Sequence, residues 1–204
     1  MLQSGGPDAV VRRDARDART GCRWVARRLL AREARTLAAL DGISGVPELI
    51  EADRDVLVRS YLDGVPMHVG RPADRAYYRS AARLLRRLHR AGVVHNDLAK
   101  EPNLLVTPDG MPAFIDFQLA WFAPRRGWLF RVLGREDIRH LLKHKRTYCA
   151  GALTSRERAI LDSPAWPSRI WMATVKPVYL LVTRRLLGWK DREGAGDREV
   201  RPPP

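Results

Sequence analysis

The chain has 204 residues and 45% hydrophobic content, enough for one compact domain or two small lobes sharing a cleft. Its 37 Lys and Arg against 23 Asp and Glu leave a net charge of +14, a surface that seeks nucleic acid, anionic lipid or phosphorylated glycan; Arg-rich composition by itself accounts for part of the excess. Two cysteines make no disulfide framework, the N-terminal residues lack the pattern of a secretory leader, and no apolar run is long enough to span a bilayer, so a reducing, cytoplasmic location is expected.

Residues 1–8 read as loop. Ala9, Val10 and Val11 open a short strand that continues into Arg12, Arg13 and Asp14. Residues 23–40 carry Ala26, Leu30, Ala34, Leu37 and Leu40 at helical spacing, with Arg27, Arg28, Arg32 and Arg35 on much of the remaining surface. Glu33 falls inside the apolar stripe, where an unpaired buried charge is expensive and the carboxylate needs a partner. Arg28 or Arg32 on the same helix can supply it. Asp41 and Gly42 end this helix, and Gly45, Val46 and Pro47 begin a connector. Two short strands follow over residues 48–52 and 55–59, after which Ser60, Tyr61, Leu62, Asp63 and Gly64 leave the sheet. Residues 74–90 form a second amphipathic helix, with Tyr78, Ala81, Leu85 and Leu88 on one face and Gly92 placed to end it.

Val93 and Val94 then lead into the most informative stretch, His95-Asn96-Asp97-Leu98-Ala99-Lys100-Glu101-Pro102-Asn103. An apolar run (Leu104, Leu105, Val106), a Pro108-Asp109-Gly110 turn and Ala113-Phe114-Ile115-Asp116-Phe117 come next. Two antiparallel strands joined at residues 107–111 bring Asn103 and Asp116 to the same end of a hairpin. An Asp on a loop can accept the proton of an attacking hydroxyl. An Asn after it and an Asp beyond the hairpin offer the hard oxygens that Mg²⁺ needs beside nucleotide phosphates. Lys100, in the same loop, is a cation that can stabilise a transferred phosphoryl group, or a solvated Lys. The plain alternative, an Asp and an Asn that cap neighbouring turns, leaves the hairpin register unexplained.

Beyond Asp116, residues 119–124 are apolar and Arg125, Arg126, Gly127 and Trp128 turn basic. Residues 135–148 read as a helix with Ile138, Leu141 and Leu142 inward, and Asp137 is placed to brace the loop from below. Residues 125–204 hold 18 Lys and Arg against 8 Asp and Glu. Within them, residues 167–189 mix aromatic, aliphatic and basic side chains, which suits either a segment lying on an anionic membrane surface or a helix packed on the rest of the chain. From Asp191 the chain is polar and ends in three prolines, a composition expected to be disordered.

The layout of residues 95–117, with the strand and helix before it, resembles the protein-kinase-like superfamily and is similar to RIO-type kinases and to bacterial kinases of lipopolysaccharide core sugars, over about residues 8–147. That resemblance implies an α+β, two-lobed fold. Residues 1–62 would form a reduced N-terminal lobe and hinge, residues 63–150 a mainly helical C-terminal lobe with the catalytic loop and metal site, and residues 151–204 a basic extension. It implies ATP and Mg²⁺ as cofactors, with Asp97 as the catalytic base, Asn103 and Asp116 on the metal, and Tyr61 and Leu62 in the hinge that binds adenine. Arg12 or Arg13, with Arg13 preferred, would stand where the family has a phosphate-binding Lys, paired with Glu33. His95 would support the loop by hydrogen bonding. There are departures: five residues rather than four separate Asp97 from Asn103, Gln118 replaces the usual Gly after Asp-Phe, and no glycine-rich loop stands in its expected place. Short connections after Asp116 leave no room for a long activation segment. The expected function is transfer of the γ-phosphate of ATP to a hydroxyl, on a glycolipid or lipopolysaccharide-core sugar or on protein Ser/Thr, with peripheral contact at the inner face of a membrane. A pseudokinase acting as a basic scaffold for membrane or RNA is the alternative; no RNA-recognition motif is present, which puts nucleic acid lower.

Overall fold

In the computed structural model, which describes residues 2–3 and 9–163, the N-terminal part is an antiparallel sheet backed by one long helix. Its strands are β1 (Leu2–Gln3), β2 (Val10–Asp14), β3 (Leu49–Ala52) and β4 (Val56–Ser60), in the order β1-β2-β4-β3. β2 and β4 pair along their whole length, from Val10 opposite Ser60 to Asp14 opposite Val56. Cross-strand partners share a face, so Arg13 lies on the face of its partner Leu57 and Arg12 on the other. Leu57 is fully buried and packs with Ala26 and Leu30 of helix α1 (Arg23–Ala39). Register therefore sends Arg13 toward the helix.

The buried stripe of α1 is Ala26, Leu29, Leu30, Glu33, Thr36 and Leu37, with the carboxylate in the middle of it. The chain crosses out of the sheet through β5 (Val65–Pro66) and the single turn α2 (Met67–Gly70) to α3 (Arg75–Arg90). Asp74 caps α3 by accepting the Ala76 N–H at 2.8 Å. The inner face of α3 carries Tyr77, Tyr78, Ala81, Leu84, Leu85 and Leu88, the face expected from helical spacing. These side chains join Leu37, Met67, Leu104, Phe114, Phe117 and Leu141 in the main core. Burial of each large apolar side chain contributes about 1.5–3 kcal/mol.

Gly92 ends α3 at φ +79, and a Cβ there would lie 3.1 Å from the Ala123 carbonyl oxygen. Two pairings then frame the loop that follows. β6 (Val93–Val94) pairs with β9 (Trp121–Phe122), and β7 (Leu104–Val106) forms the expected hairpin with β8 (Pro112–Phe114), with β5 on its outer edge. The turn is closed by Thr107, whose N–H donates to the Met111 carbonyl at 2.9 Å and whose hydroxyl meets Asp109.

Helix α4 (Trp128–Tyr148) starts well before residue 135, where periodicity alone placed it. Its first turns are fixed by tertiary packing, because Phe130 and Leu133 bury against Val94. Helix α5 (Ser155–Asp162) lies in the stretch read as a basic extension and packs on α4. Lys145 reaches Glu157 at 2.7 Å, and Arg139 donates to the Leu161 carbonyl at 3.2 Å. Both cysteines are free. Among the described residues no helix is long and apolar enough to cross a membrane. The aromatic-basic segment 167–189 and the tail from 191 lie outside the described residues.

Candidate active site

The loop between β6 and β7 is fixed from beneath by α4. Asp137, 1% exposed, accepts the His95 N–H at 2.8 Å and the Asn96 N–H at 2.9 Å, with His89 Nε2 a further 3.2 Å contact. Two adjacent backbone donors on one carboxylate hold the chain where Asn96 takes φ +62. The His95 ring is fully buried, and its Nε2 lies 3.0 Å from the Ile115 carbonyl oxygen, a bond that requires the Nε2–H tautomer. His144 of α4 makes the same kind of bond to the Leu98 carbonyl at 2.8 Å. Sequence reasoning gave no signal for His144.

Asp97 sits on this fixed loop at 6% exposure. Asn103 Nδ2 donates to the Asp97 carbonyl at 2.9 Å and to its carboxylate at 3.0 Å. Lys100 Nζ lies 3.0 Å from the same carboxylate oxygen. Burial pushes the Asp97 carboxyl above its ordinary value, and Lys100 pulls it part of the way back. The extra residue between Asp97 and Asn103 is absorbed locally: the Asn103 N–H bonds the Lys100 carbonyl at 3.1 Å, in a 3₁₀ turn over Glu101–Asn103. Asn103 thereby still meets Asp97.

The hairpin carries Asp116 back beside the sheet, in the left-handed region at φ 65 and ψ 70. Arg13 spans the gap: one guanidinium nitrogen lies 2.9 Å from Glu33 Oε2, and the guanidinium reaches Asp116 Oδ1 at 3.4 Å. Burial works against the Arg13 charge, but Glu33 and Asp116 together hold its pKa above the ordinary value. Arg12 instead stands 4.0 Å from Asp14. Glu33 is fully buried and has a second cation, Arg59 of β4, whose Nε lies 3.4 Å from Oε1. Burial, followed by the charge of Arg13, lowers the Arg59 pKa. Arg59 was missed from sequence, although a charge directly after Val56-Leu57-Val58 was a readable sign of a buried pair. Arg32, offered from sequence as a partner for Glu33, instead donates to the Ala120 carbonyl at 2.6 Å and the Leu119 carbonyl at 3.1 Å, tying α1 to the segment after Asp116.

Two groups of expected residues are thus assembled, Asp97 with Lys100 and Asn103, and Arg13 with Glu33 and Asp116. Tyr61 and Leu62 make no hydrogen bond to either. The Tyr61 N–H is already used, donating to the Ala9 carbonyl at 2.9 Å, and Leu62 lines a separate groove with Gly45 and Met111. A cleft of about 260 Å³ runs beside Arg13, Leu30, Asp116 and Gln118. Because the Asn103 amide nitrogen is committed to Asp97, its carbonyl oxygen and the Asp116 carboxylate are the hard donors left for a cation. No group of three or more His, Cys, Asp or Glu suited to a metal occurs among the described residues. The donor set fits Mg²⁺ that also binds phosphate oxygens and water, rather than an all-protein cage.

A small antiparallel sheet with a Glu-bearing helix, joined to a helical lobe with a His-x-Asp loop and an Asp-Phe hairpin, defines a protein-kinase-like α+β fold. The profile of the RIO domain family matches residues 8–147, and the chain belongs to that family. No curated protein matches it. Among solved structures it is similar to the Rio2 kinase of Chaetomium thermophilum in a complex with ADP, Mg²⁺ and phosphoaspartate, at 22% identity and TM-score 0.51, covering 72% of this chain and 48% of that one. A second structure of the Rio2 kinase from Chaetomium thermophilum gives 22% identity and TM-score 0.52, covering 72% and 49%. The chain thus spans about half the length of these structures.

Proposed function

We propose that the chain is an ATP- and Mg²⁺-dependent phosphotransferase that moves the γ-phosphate to a hydroxyl acceptor. The observation that carries this reading is the buried Asp97 carboxylate held by Asn103 and Lys100, on a loop braced by Asp137. Family membership and a solved neighbour that holds ADP and Mg²⁺ support the choice of cofactors. Bound Mg²⁺·ATP would supply the transferable phosphoryl group and neutralise its charge. Asp97, with its raised pKa, orients the acceptor hydroxyl and takes its proton. Lys100 offers positive charge next to the same carboxylate, where charge develops on transfer. Asn103 and Asp116 present their oxygens to the metal, Arg13 turns its fork to the phosphates, and Glu33 orients Arg13.

The acceptor class we favour is a sugar hydroxyl of a glycolipid such as the lipopolysaccharide core, reached from the inner face of the membrane; protein Ser/Thr is the other acceptor to assay. One observation favours a second reading, a nucleotide-sensing pseudokinase: Arg13 reaches Asp116 directly, so the phosphate-binding and metal-binding groups occupy each other.

Titration of Mg²⁺·ATP into purified protein, with hydrolysis followed in parallel, tests both readings. Asp116→Ala should abolish binding. Asp97→Asn should leave binding within about twofold and lower turnover by roughly 10²–10⁴-fold. Equal turnover in wild type and Asp97→Asn would sink the mechanism, and binding without turnover in the wild type would favour the pseudokinase.

A further inference from the structure

α3 lines a groove of about 870 Å³ that shares no lining residue with the cleft beside Arg13 and Asp116, a volume in the range of roughly 300–1,000 Å³ typical of small-molecule sites. Four guanidinium groups line it, from Arg83, Arg86, Arg87 and Arg90. All four are exposed, and among the described residues none lies within ion-pair distance of a carboxylate. Asp14, Asp55, Glu136 and Glu157 pair instead with Arg16, Arg27, Arg139 and Lys145. Positive charge near the helix C-terminus suits the dipole for Arg87 and Arg90, but it gives no reason for four like charges within about two turns, where neighbours at three and four residues repel.

Two of the arginines are already oriented. Arg87 Nη2 donates to the Ser44 carbonyl at 2.6 Å, and Arg83 Nη2 donates to the Ser80 hydroxyl at 3.2 Å. Each guanidinium has five N–H donors, so both keep several for a ligand. The floor between them is apolar, with Leu62, Leu84 and Pro112. Asp109 at one edge is the single carboxylate among the lining residues. Residues 83–90 span only about 10 Å along the helix, the reach of two or three phosphates on one small body rather than of a nucleic-acid strand.

We propose that this groove is a second binding site, separate from the nucleotide cleft, for a small polyanion bearing two or more phosphate groups, free or as a lipid headgroup. The site is independent of phosphotransfer, so it stands or falls apart from the function proposed above. Inorganic tripolyphosphate is titrated calorimetrically into the full chain, its Arg86→Gln/Arg90→Gln variant and an Arg13→Gln variant. Among the described residues Arg86 and Arg90 make no tertiary hydrogen bond, so the double variant should fold with an unchanged melting temperature. Expected are saturable binding by wild type, at least a tenfold loss in the double variant, and less than a twofold change in Arg13→Gln. Co-sedimentation with vesicles containing a phosphatidylinositol bisphosphate, lost in the double variant, identifies a headgroup as the source; tripolyphosphate binding without vesicle binding identifies a free ligand. Three results would overturn the proposal: unchanged affinity in the double variant, loss of binding in Arg13→Gln, or single-stranded RNA whose affinity for the same arginines grows with strand length.

Discussion

Glu33 is fully buried between two guanidiniums, Arg13 at 2.9 Å and Arg59 at 3.4 Å. Removing one partner of a buried ion pair is normally destabilising because the other is left uncompensated. Here Glu33 has two cations, so on the proposed role Arg13 would turn to a phosphate while Arg59 stays with Glu33. At Asp97 the balance is between burial, which raises its pKa, and Lys100, which lowers it. If Asp97 is the base, as proposed, the acid limb of the rate profile should lie above the ordinary Asp value, since a base works only when deprotonated. Lys100→Met should move that limb to still higher pH; a limb that stays in place would show that Lys100 does not act on Asp97. The sequence left Arg12 and Arg13 open because both follow the same short apolar run. Only the pairing of β2 with β4 decides which of two alternating side chains faces α1.

The elements were legible where local chemistry is sufficient. α1, α3 and the β7–β8 hairpin follow from periodicity, from Asp74 and Gly92 at the ends of α3, and from the Pro108-Asp109-Gly110 turn. α4 was read too short because its first two turns carry no side-chain cap and depend on Val94 across the lobe. α5 had a readable signal that was passed over, the capping box of Thr154 and Glu157. β9 pairs only two residues with β6 and has no local signature. α4 also carries His140, whose pKa burial lowers from 6.5 to about 4, with Lys143 adding to the effect and Asp137 and Glu136 opposing it. The unfolded chain then binds the proton more readily than the folded one, so this contribution to stability is complete above pH 6.5 and is lost as pH falls toward 4. After allowance for partial exposure the loss is about 1–2 kcal/mol. Urea unfolding at a series of pH values should show it in wild type and a flatter slope in His140→Gln; identical slopes would remove His140 as the cause.

Across the whole molecule, arginine side chains join the sheet and α1 to the helical lobe. Arg32 holds the Ala120 and Leu119 carbonyls, Arg87 holds the Ser44 carbonyl, and Arg13 reaches Asp116. Part of the high Arg content thus serves the junction between lobes, which composition could not reveal. Hydrogen bonds from charged donors contribute about 1.5–3 kcal/mol each when shielded, so Arg32→Ala should lower stability by about 2 kcal/mol with little change in the urea m-value. An unchanged midpoint would mean that water replaces both bonds without loss.

The contact between Arg13 and Asp116 has an effect on the order in which ligands arrive. On the proposed roles, a cation that took Asp116 would release Arg13, and an anion that took Arg13 would release Asp116. Each ligand would then remove the obstacle to the other, and the two affinities would be linked reciprocally. Cooperativity of this kind needs no closing motion of the lobes; it is written into a single internal ion pair that is exchanged for two external ones.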